Sequence, residues 1–274
     1  MKKALKILAA AVSMSLTVLT PASAAPEEET VSNAYLHLDG AMDEWAAAPA
    51  LRLPSSYHGG HLDSWNNSVI YDDALVIIAY ANRKDNADSL ERAKNMGDAF
   101  LQMQAKDPIG DGRVRNSYGP ENLFDADGVP NILSTGTAAG NQAWAGMALA
   151  HLAHVTKDAK YRDGALRVGE WLLRETSDTR GRGGFTGGYK SDGTKIEWKS
   201  TEHNIDMVGL FGMLHQLTKD RKWHSARKHA RKFVKSMWDE KEGRFHIGTK
   251  PDGITTNRDE YIPEDVQSWG YLAL

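Results

Sequence analysis

A repeated motif constrains the fold of this chain more than any other feature of its sequence. The segment Thr156 to Tyr161 (TKDAKY) recurs 62 residues later as Thr218 to Trp223 (TKDRKW). In both copies the motif joins an apolar stretch to an amphipathic one. A repeat of this length is typical of an array of helical hairpins. The sequence therefore predicts an all-α fold.

The stretches around these motifs alternate between two kinds of predicted helix. One kind is apolar on most sides and should be buried. The other kind has one apolar stripe and one charged face, as expected of an amphipathic helix at a surface. The apolar stretches are 71–80, 142–155, 205–217 and 265–274, and the amphipathic ones are 89–104, 161–175 and 223–238.

Strict alternation of buried and amphipathic helices predicts an inner ring of helices inside an outer ring. An open solenoid would expose one face of every hairpin more evenly. We therefore predict an (α/α) toroid in residues 35–274. Because 265–274 reads as the start of a further inner helix, we expect an incomplete (α/α)6 barrel of about three and a half hairpins, truncated at its C-terminus.

The first 24 residues have the features of a secretory signal peptide. A lysine-rich start precedes an apolar run over 8–19, and Ala22 to Ala24 (ASA) provides a small-residue cleavage site. The apolar run is too short to span a membrane, so we expect no membrane anchor and a secreted or periplasmic protein. We also expect 25–34 to be a disordered leader and the chain from Tyr35 to Asn67 to be irregular.

Several functional classes are disfavoured by the sequence. The net charge is −3, and the basic residues cluster only over 221–235, which favours a solvated helix face over nucleic-acid binding. The glycines at 183–188 are not followed by the Lys-Ser/Thr pair of a phosphate loop. There is no cysteine and no pair of histidines with typical metal-ligand spacing, so we expect no metal and no cofactor. The oligomeric state stays open.

Three segments carry a resemblance to a known family: YDDAL at 71–75, GGFTGGY at 183–189 and KSTEHNID at 199–206. Together with the alternating helices, they resemble the six-hairpin (α/α)6 glycosidase superfamily, and secreted bacterial glycoside hydrolases within it. The resemblance covers roughly residues 60–274. It implies a carbohydrate substrate and a cleft lined by aromatic and acidic side chains. The superfamily also contains lyases and epimerases, so the fold alone does not choose the chemistry.

Glycoside hydrolysis usually requires two carboxyl groups, one protonated and one ionised. Glu202 and Asp72 are our candidate pair, since each lies in the first turn of a predicted inner helix. Such acidic residues can instead simply complement the helix dipole. Asp206 is a second candidate partner, because a neighbouring carboxylate would raise its pKa and suit it to be a general acid. Alternatively, Asp206 links to the neighbouring helix through Asn141 or Gln142.

Other polar and aromatic residues near these positions are candidates for substrate binding. Aromatic faces stack on the apolar face of a sugar, although each ring could equally pack in the core. The predicted substrate-binding residues are Tyr71, Asp73, Gln142, His203 and Asn204, with the rings of Trp65, Trp144, Tyr189, Trp198 and Trp269.

These observations together predict an exported glycoside hydrolase that cleaves a poly- or oligosaccharide. One alternative is a lyase or epimerase that acts on uronic acids, with His203 in catalysis and Arg113 or Arg115 holding the substrate carboxylate. Another alternative is a glycan-binding protein without catalytic activity.

Overall fold

The computed structural model describes residues 25–45, 50–62, 64–84, 86–259 and 261–274, and the side chains from residue 29 onward. The predicted signal peptide lies outside the described residues. The first helix, α1, spans Ala25–Asp43 and includes both the segment expected to be a disordered leader and the start of the segment expected to be irregular. The described residues up to Ala41 belong to one compact unit, and Met42–Leu274 form another.

The second unit consists mainly of helical hairpins, as the sequence predicts. A 3-10 turn at Gly60–Leu62 precedes them. Each helix predicted from residue 71 onward is present, with ends displaced by a few residues. These helices are α2 (Ile70–Asn82), α3 (Ala87–Lys106), α4 (Ala139–Thr156), α5 (Ala159–Thr176), α6 (Thr201–Thr218), α7 (Arg221–Ser236) and α8 (Glu264–Ala273).

The helices form an inner and an outer layer. The inner helices α2, α4, α6 and α8 pack side by side in that order, and α3, α5 and α7 each pack outside the inner helix that precedes them. The outer helices bury one stripe only, as Val168, Trp171 and Leu172 of α5 illustrate. This arrangement is an (α/α) toroid with three complete hairpins and a fourth inner helix, which confirms the predicted fold class. In the described part of the chain, no helix is both long and apolar enough to cross a membrane.

The repeated Thr-Lys-Asp motif forms the same turn in both copies. Thr156 Oγ1 donates a hydrogen bond to a carbonyl one turn earlier in α4, and Lys157 ends the helix in the left-handed conformation at φ 61°. Asp158 then caps α5 by accepting from the N–H of Lys160 at 2.9 Å. Residues 218–220 repeat each of these features between α6 and α7.

The loops that enter the inner helices form small antiparallel sheets. One sheet has the strand order β1-β2-β3 and another the order β4-β5-β6, while the remaining strands form two-stranded pairs. Since β1 and β4 directly precede α2 and α4, these sheets fix the loops at the helix N-termini. The strands are β1 (Ser68–Val69), β2 (Ser117–Tyr118), β3 (Ile132–Ser134), β4 (Thr137–Ala138), β5 (Gly188–Tyr189), β6 (Lys195–Ile196), β7 (Trp238–Asp239), β8 (Arg244–Phe245), β9 (Gly248–Thr249) and β10 (Thr256–Asn257).

The fourth residue of each inner helix is polar and fastens one of these loops. In α6, the amide of Asn204 accepts from the N–H of Phe185 at 2.9 Å and donates to its carbonyl at 3.0 Å. In α4, Gln142 forms the same pair of bonds with Val114, at 3.1 and 2.7 Å. Both amides are fully buried, so the bonds replace those to water.

The same position is used in the other two inner helices. In α8, Gln267 exchanges two bonds with the backbone of Phe245, at 2.8 and 3.0 Å. In α2, the buried Asp73 accepts from the Ser68 hydroxyl at 2.7 Å. We call these four side chains the staple residues: Asp73, Gln142, Asn204 and Gln267. Their common position shows that the helical repeat itself places a polar group there.

Candidate active site

The second and sixth residues of the inner helices lie on one helix face, which points into the ring. Residues four apart in a helix share a face. Tyr71 of α2 contacts Trp144 of α4, with ring centroids 5.3 Å apart, and Trp144 contacts Trp269 of α8 at 5.7 Å. Because these rings come from three different inner helices, they lie on the inner side of the ring. The acidic residues at the same positions are Glu202 and Asp206 of α6 and Asp265 of α8.

We call Glu202, Asp206 and Asp265 the carboxyl cluster. Asp206 is 3% exposed, and burial together with the charges of Glu202 and Asp265 raises its pKa well above the usual value. The indole N–H of Trp144 partly offsets this rise in pKa, although the two groups form no hydrogen bond of normal geometry. Burial and the charge of Asp265 also raise the pKa of Glu202. The pKa of Asp206 is thus raised more strongly than that of Glu202, so Asp206 is the carboxyl group that holds a proton more readily.

One oxygen of Asp206 is left without a partner. Its Oδ2 is buried and has no hydrogen-bond partner in the described part of the chain. Buried polar atoms in folded proteins usually bond to protein, water or a ligand. Because Asp206 borders the inner groove, this oxygen is placed to bond to water or a ligand there.

The charges of the same carboxyl groups also act on the Tyr71 hydroxyl. Burial and the charges of Asp206 and Glu202 raise the pKa of this phenol, and Asp265 and Asp72 add to the effect. The hydroxyl therefore stays protonated and can donate a hydrogen bond.

His203 lies against the cluster as a neutral imidazole. Burial lowers its pKa to about 4, and its ring contacts Trp198 with centroids 5.8 Å apart. A Cβ atom on Gly140 would lie 2.5 Å from Cδ2 of His203 and 3.3 Å from Oδ2 of Asp206. Both side chains thus pack against the backbone of α4, and only glycine leaves room for them.

Two clefts adjoin the carboxyl cluster. The first, which we call the loop cleft, has a volume of about 730 Å³, and its lining includes Trp198, Glu202, Tyr261 and Asp265. The second, the inner groove, has a volume of about 430 Å³ and is lined in part by Trp144, Asp206 and Trp269. Both volumes are typical of ligand sites, and each cleft places aromatic rings beside a carboxyl group.

The structure places Glu202 with Asp206 and Asp265, whereas the sequence analysis paired it first with Asp72. Asp72 accepts a hydrogen bond from Ser56, and its own pKa is raised by burial. The pKa of Glu202 responds to burial and to Asp265, and Asp72 does not contribute to it. Asp265 was missed among the catalytic candidates, although its place in the first turn of an inner helix was a usable signal.

Three predicted substrate-binding residues are staple residues: Asp73, Gln142 and Asn204. Each is fully buried and bonded to a loop within the protein. The amides of Gln142 and Asn204 use both their donor and their acceptor in these bonds, which gives them a structural role, whereas Oδ1 of Asp73 has no partner in the described part of the chain. Asn141 donates to Asn116 at 3.1 Å, so neither it nor Gln142 forms the suggested link to Asp206.

The predicted aromatic residues separate into two groups. Trp144, Trp198 and Trp269 line the clefts. Trp65 is 54% exposed and packs edge-on against Tyr57, away from both clefts. The Tyr189 ring contacts Trp171 of α5, and its hydroxyl donates to Glu175 at 2.8 Å, so it faces the outer layer of helices.

A buried lysine, which the sequence analysis did not single out, anchors the glycine-rich loop beside the cleft. The Lys199 side chain is fully buried, and its Nζ donates to the carbonyls of Arg180 and Gly183 at 2.8 and 2.9 Å. The Asp178 carboxylate lies 3.6 Å away and balances its charge. This anchor holds Trp198 and the N-terminus of α6 in register. Among the described residues, no cluster of histidine and acidic side chains could hold a metal ion.

No family model matches the sequence, and no curated protein does either. Solved structures do match. A D-mannose isomerase is 16% identical, with a TM-score of 0.67, and the match covers 90% of this chain and 66% of that one. Cellobiose 2-epimerase from Spirochaeta thermophila is 15% identical, with a TM-score of 0.63, and the match covers 92% of this chain and 70% of that one. A GH76 alpha-mannanase from Bacteroides thetaiotaomicron is 17% identical, with a TM-score of 0.61, and the match covers 82% of this chain and 59% of that one.

These similarities define the class of fold. The chain has the same (α/α) toroid fold as these structures, the fold that the resemblance seen in the sequence implies. It spans 59% to 70% of the length of these structures. At this level of identity the comparison defines the fold, and the chemistry must be argued from the site.

Proposed function

We propose that this protein is an exported glycan-processing enzyme, and specifically a glycoside hydrolase that cleaves a poly- or oligosaccharide. The observation that carries the proposal is the carboxyl cluster between two clefts lined by aromatic rings. Glycoside hydrolysis uses a protonated and an ionised carboxyl group beside the bond to be cleaved. The similar folds of a mannanase and of a cellobiose epimerase agree with a carbohydrate substrate.

In this proposal Asp206 is the general acid. Burial and two neighbouring charges keep it protonated, so that it can donate a proton to the leaving oxygen. Glu202 is less buried and lines the loop cleft, where it acts on the sugar or on a water molecule as nucleophile or base. The charges of Glu202 and Asp265 stabilise the positive charge that develops on the sugar ring in the transition state.

A second candidate function is isomerisation or epimerisation of a sugar, and His203 favours it. This imidazole is neutral, and its buried Nδ1 has no hydrogen-bond partner in the described part of the chain. A neutral imidazole can remove a proton from the carbon next to a carbonyl group. Two of the similar structures are an isomerase and an epimerase.

The version of this alternative that acts on uronic acids has less support. Arg113 is paired with Asp111 at 2.7 Å, and Arg115 is paired with Asp107. Both guanidinium groups are therefore occupied, and neither residue lines the two clefts. A uronate would also meet the carboxyl cluster, which repels anions.

A paired assay tests the two candidates. The protein is incubated with mannan and with cello-oligosaccharides, and new reducing ends are measured. In parallel, mannose and cellobiose are incubated in D2O, and deuterium at C2 is measured. A hydrolase releases reducing ends, and E202Q and D206N each lower the rate by about 100-fold or more. E264Q, which changes an exposed carboxylate of α8, is the control and should keep the wild-type rate.

Three results would contradict the proposal. Wild-type rates in both E202Q and D206N would exclude the carboxyl cluster from catalysis. Deuterium incorporation that is lost in H203Q, without release of reducing ends, would establish the second candidate. Binding of glycans without any turnover would make the protein a glycan-binding protein.

A further inference from the structure

The loop cleft and the inner groove both border α6 and α8. Glu202 and Asp265 line the loop cleft, and Asp206 lines the inner groove one turn further along α6. The α8 helix also contributes to both, through Val266 and Trp269. The carboxyl cluster therefore borders both clefts. A single sugar would fill one of them and leave the other open to water.

Among the described residues that line the loop cleft, both lysines already have partners within the protein. Lys250 is ion-paired with Asp259 at 2.7 Å, and Lys199 is used inside the protein. The remaining polar lining includes Thr249 and Asn257, which can bond hydroxyl groups. This lining suits an uncharged sugar.

Tyr261 provides an exposed aromatic surface in the lining of the loop cleft. Its side chain is 73% exposed, and the neighbouring Ile262 is 52% exposed. A tyrosine ring combines an apolar face with a polar tip and is therefore suited to cover a sugar ring. Across the carboxyl cluster, the half-buried rings of Trp144 and Trp269 line the inner groove.

We infer that the site takes a linear, uncharged oligosaccharide that occupies both clefts. The chain runs from Tyr261 and Trp198, past the carboxyl cluster, to Trp269 and Trp144. Tyr261 is a specificity-determining residue that favours long substrates over single sugars. This inference rests on the proposed function and adds the length and charge of its substrate.

Calorimetric titration with two series of sugars tests the inference. The series run from mannose to mannotetraose and from glucose to cellotetraose, and the D206N protein is used so that the chains stay intact. We expect a tetrasaccharide of one series to bind at least about tenfold more tightly than its monosaccharide. Y261A should weaken binding of the tetrasaccharide about tenfold and leave the affinity for the monosaccharide unchanged.

A matched control is available on α8. Tyr271 is 84% exposed but lines neither cleft, so Y271A should bind like the parent protein. A tetrasaccharide oxidised to uronic acids at C6 should bind more weakly than its uncharged counterpart. Wild-type and E202Q hydrolysis rates are measured beside the titrations.

The outcomes separate the inference from the proposed function. Equal affinity for short and long chains, equal effects of Y261A and Y271A, or tighter binding of the oxidised chain would overturn the inference. Hydrolysis that depends on Glu202 would leave the proposed function intact in each of these cases. If the protein neither bound nor hydrolysed any of these chains, both the inference and the proposed function would be overturned.

Discussion

Asn204 and Asp206 lie two residues apart in α6, yet their surroundings give them opposite roles. Both bonding groups of the Asn204 amide are satisfied by Phe185, so this residue contributes to the fold. Asp206 is also buried, but one oxygen has no partner among the described residues, and the residue lines the inner groove. Residue type and position alone do not separate these cases. The separation depends on which atoms the fold brings near.

The pH dependence of stability should report the cost of burying Asp206. Its folded-state pKa is raised well above the ordinary value of an aspartate by burial and by the charges of Glu202 and Asp265, so its protonated form is favoured in the folded protein. Its contribution to stability is fully present below about pH 4 and is lost as the pH rises through the folded pKa. D206N should therefore raise the melting temperature at pH 8 relative to wild type, with little change near pH 4.

Thermal melts of both proteins between pH 4 and pH 8 measure this difference. E264Q, at an exposed site of α8, should show no such trend. An equal loss of stability in D206N at both ends of the range would mean that Asp206 is ionised and stabilising in the folded protein.

The staple residues show what the sequence could and could not reveal about individual elements. The apolar inner helices made the polar residues near their N-termini conspicuous, and Glu202, Asp206, Trp144 and Trp269 were found in this way. The same signal also selected Gln142 and Asn204, which fasten loops. The 62-residue offset aligns these two residues, and this recurrence was evidence for a structural role. The bonds to Val114 and Phe185 join distant parts of the chain and could not be predicted.

Removing a staple should loosen the loop that it holds. N204A leaves the buried N–H and carbonyl of Phe185 unpaired, which should cost about 1–3 kcal/mol of unfolding free energy. We also expect faster protease cleavage within 179–188, because this loop loses its link to α6. Urea unfolding and limited proteolysis measure the two effects.

A control on the same helix is Q216A. Gln216 is exposed near the C-terminal end of α6, and the change should alter stability by less than about 0.5 kcal/mol. If N204A behaved like Q216A in both measurements, the staple would contribute nothing to the loop.

At the scale of the whole molecule, the fold was predictable where the signal was local and repeated. Periodicity located seven helices and their layers, and the Thr-Lys-Asp turn fixed how two hairpins are joined. Helix α1 was not predicted, because its sequence over Ala25–Asp43 has no clear apolar face. The short strands were missed for a different reason. Most are two residues long and form where loops meet at the helix N-termini, so they leave no alternating pattern.

The layered packing predicts uneven local stability across the molecule. Helix α4 packs between α2 and α6, and α6 packs between α4 and α8. Helix α8 packs mainly against α6 and touches α4 through the Trp269–Trp144 ring contact, and its Tyr271 and Leu272 are 84% and 80% exposed. Local opening is easier where fewer apolar contacts are buried. Backbone amides of α4 and α6 should therefore exchange with D2O most slowly, and those of α8 faster.

Hydrogen exchange followed by mass spectrometry measures this order, with and without a bound oligosaccharide. Because the loop cleft and the inner groove both include residues of α8, a ligand that fills them should slow exchange in α8 more than in α4. The α3 helix lines neither cleft and serves as the internal control. Exchange in α8 as slow as in α4 before any ligand is added would contradict the expected order. Ligand protection confined to α3 would place the glycan outside the ring.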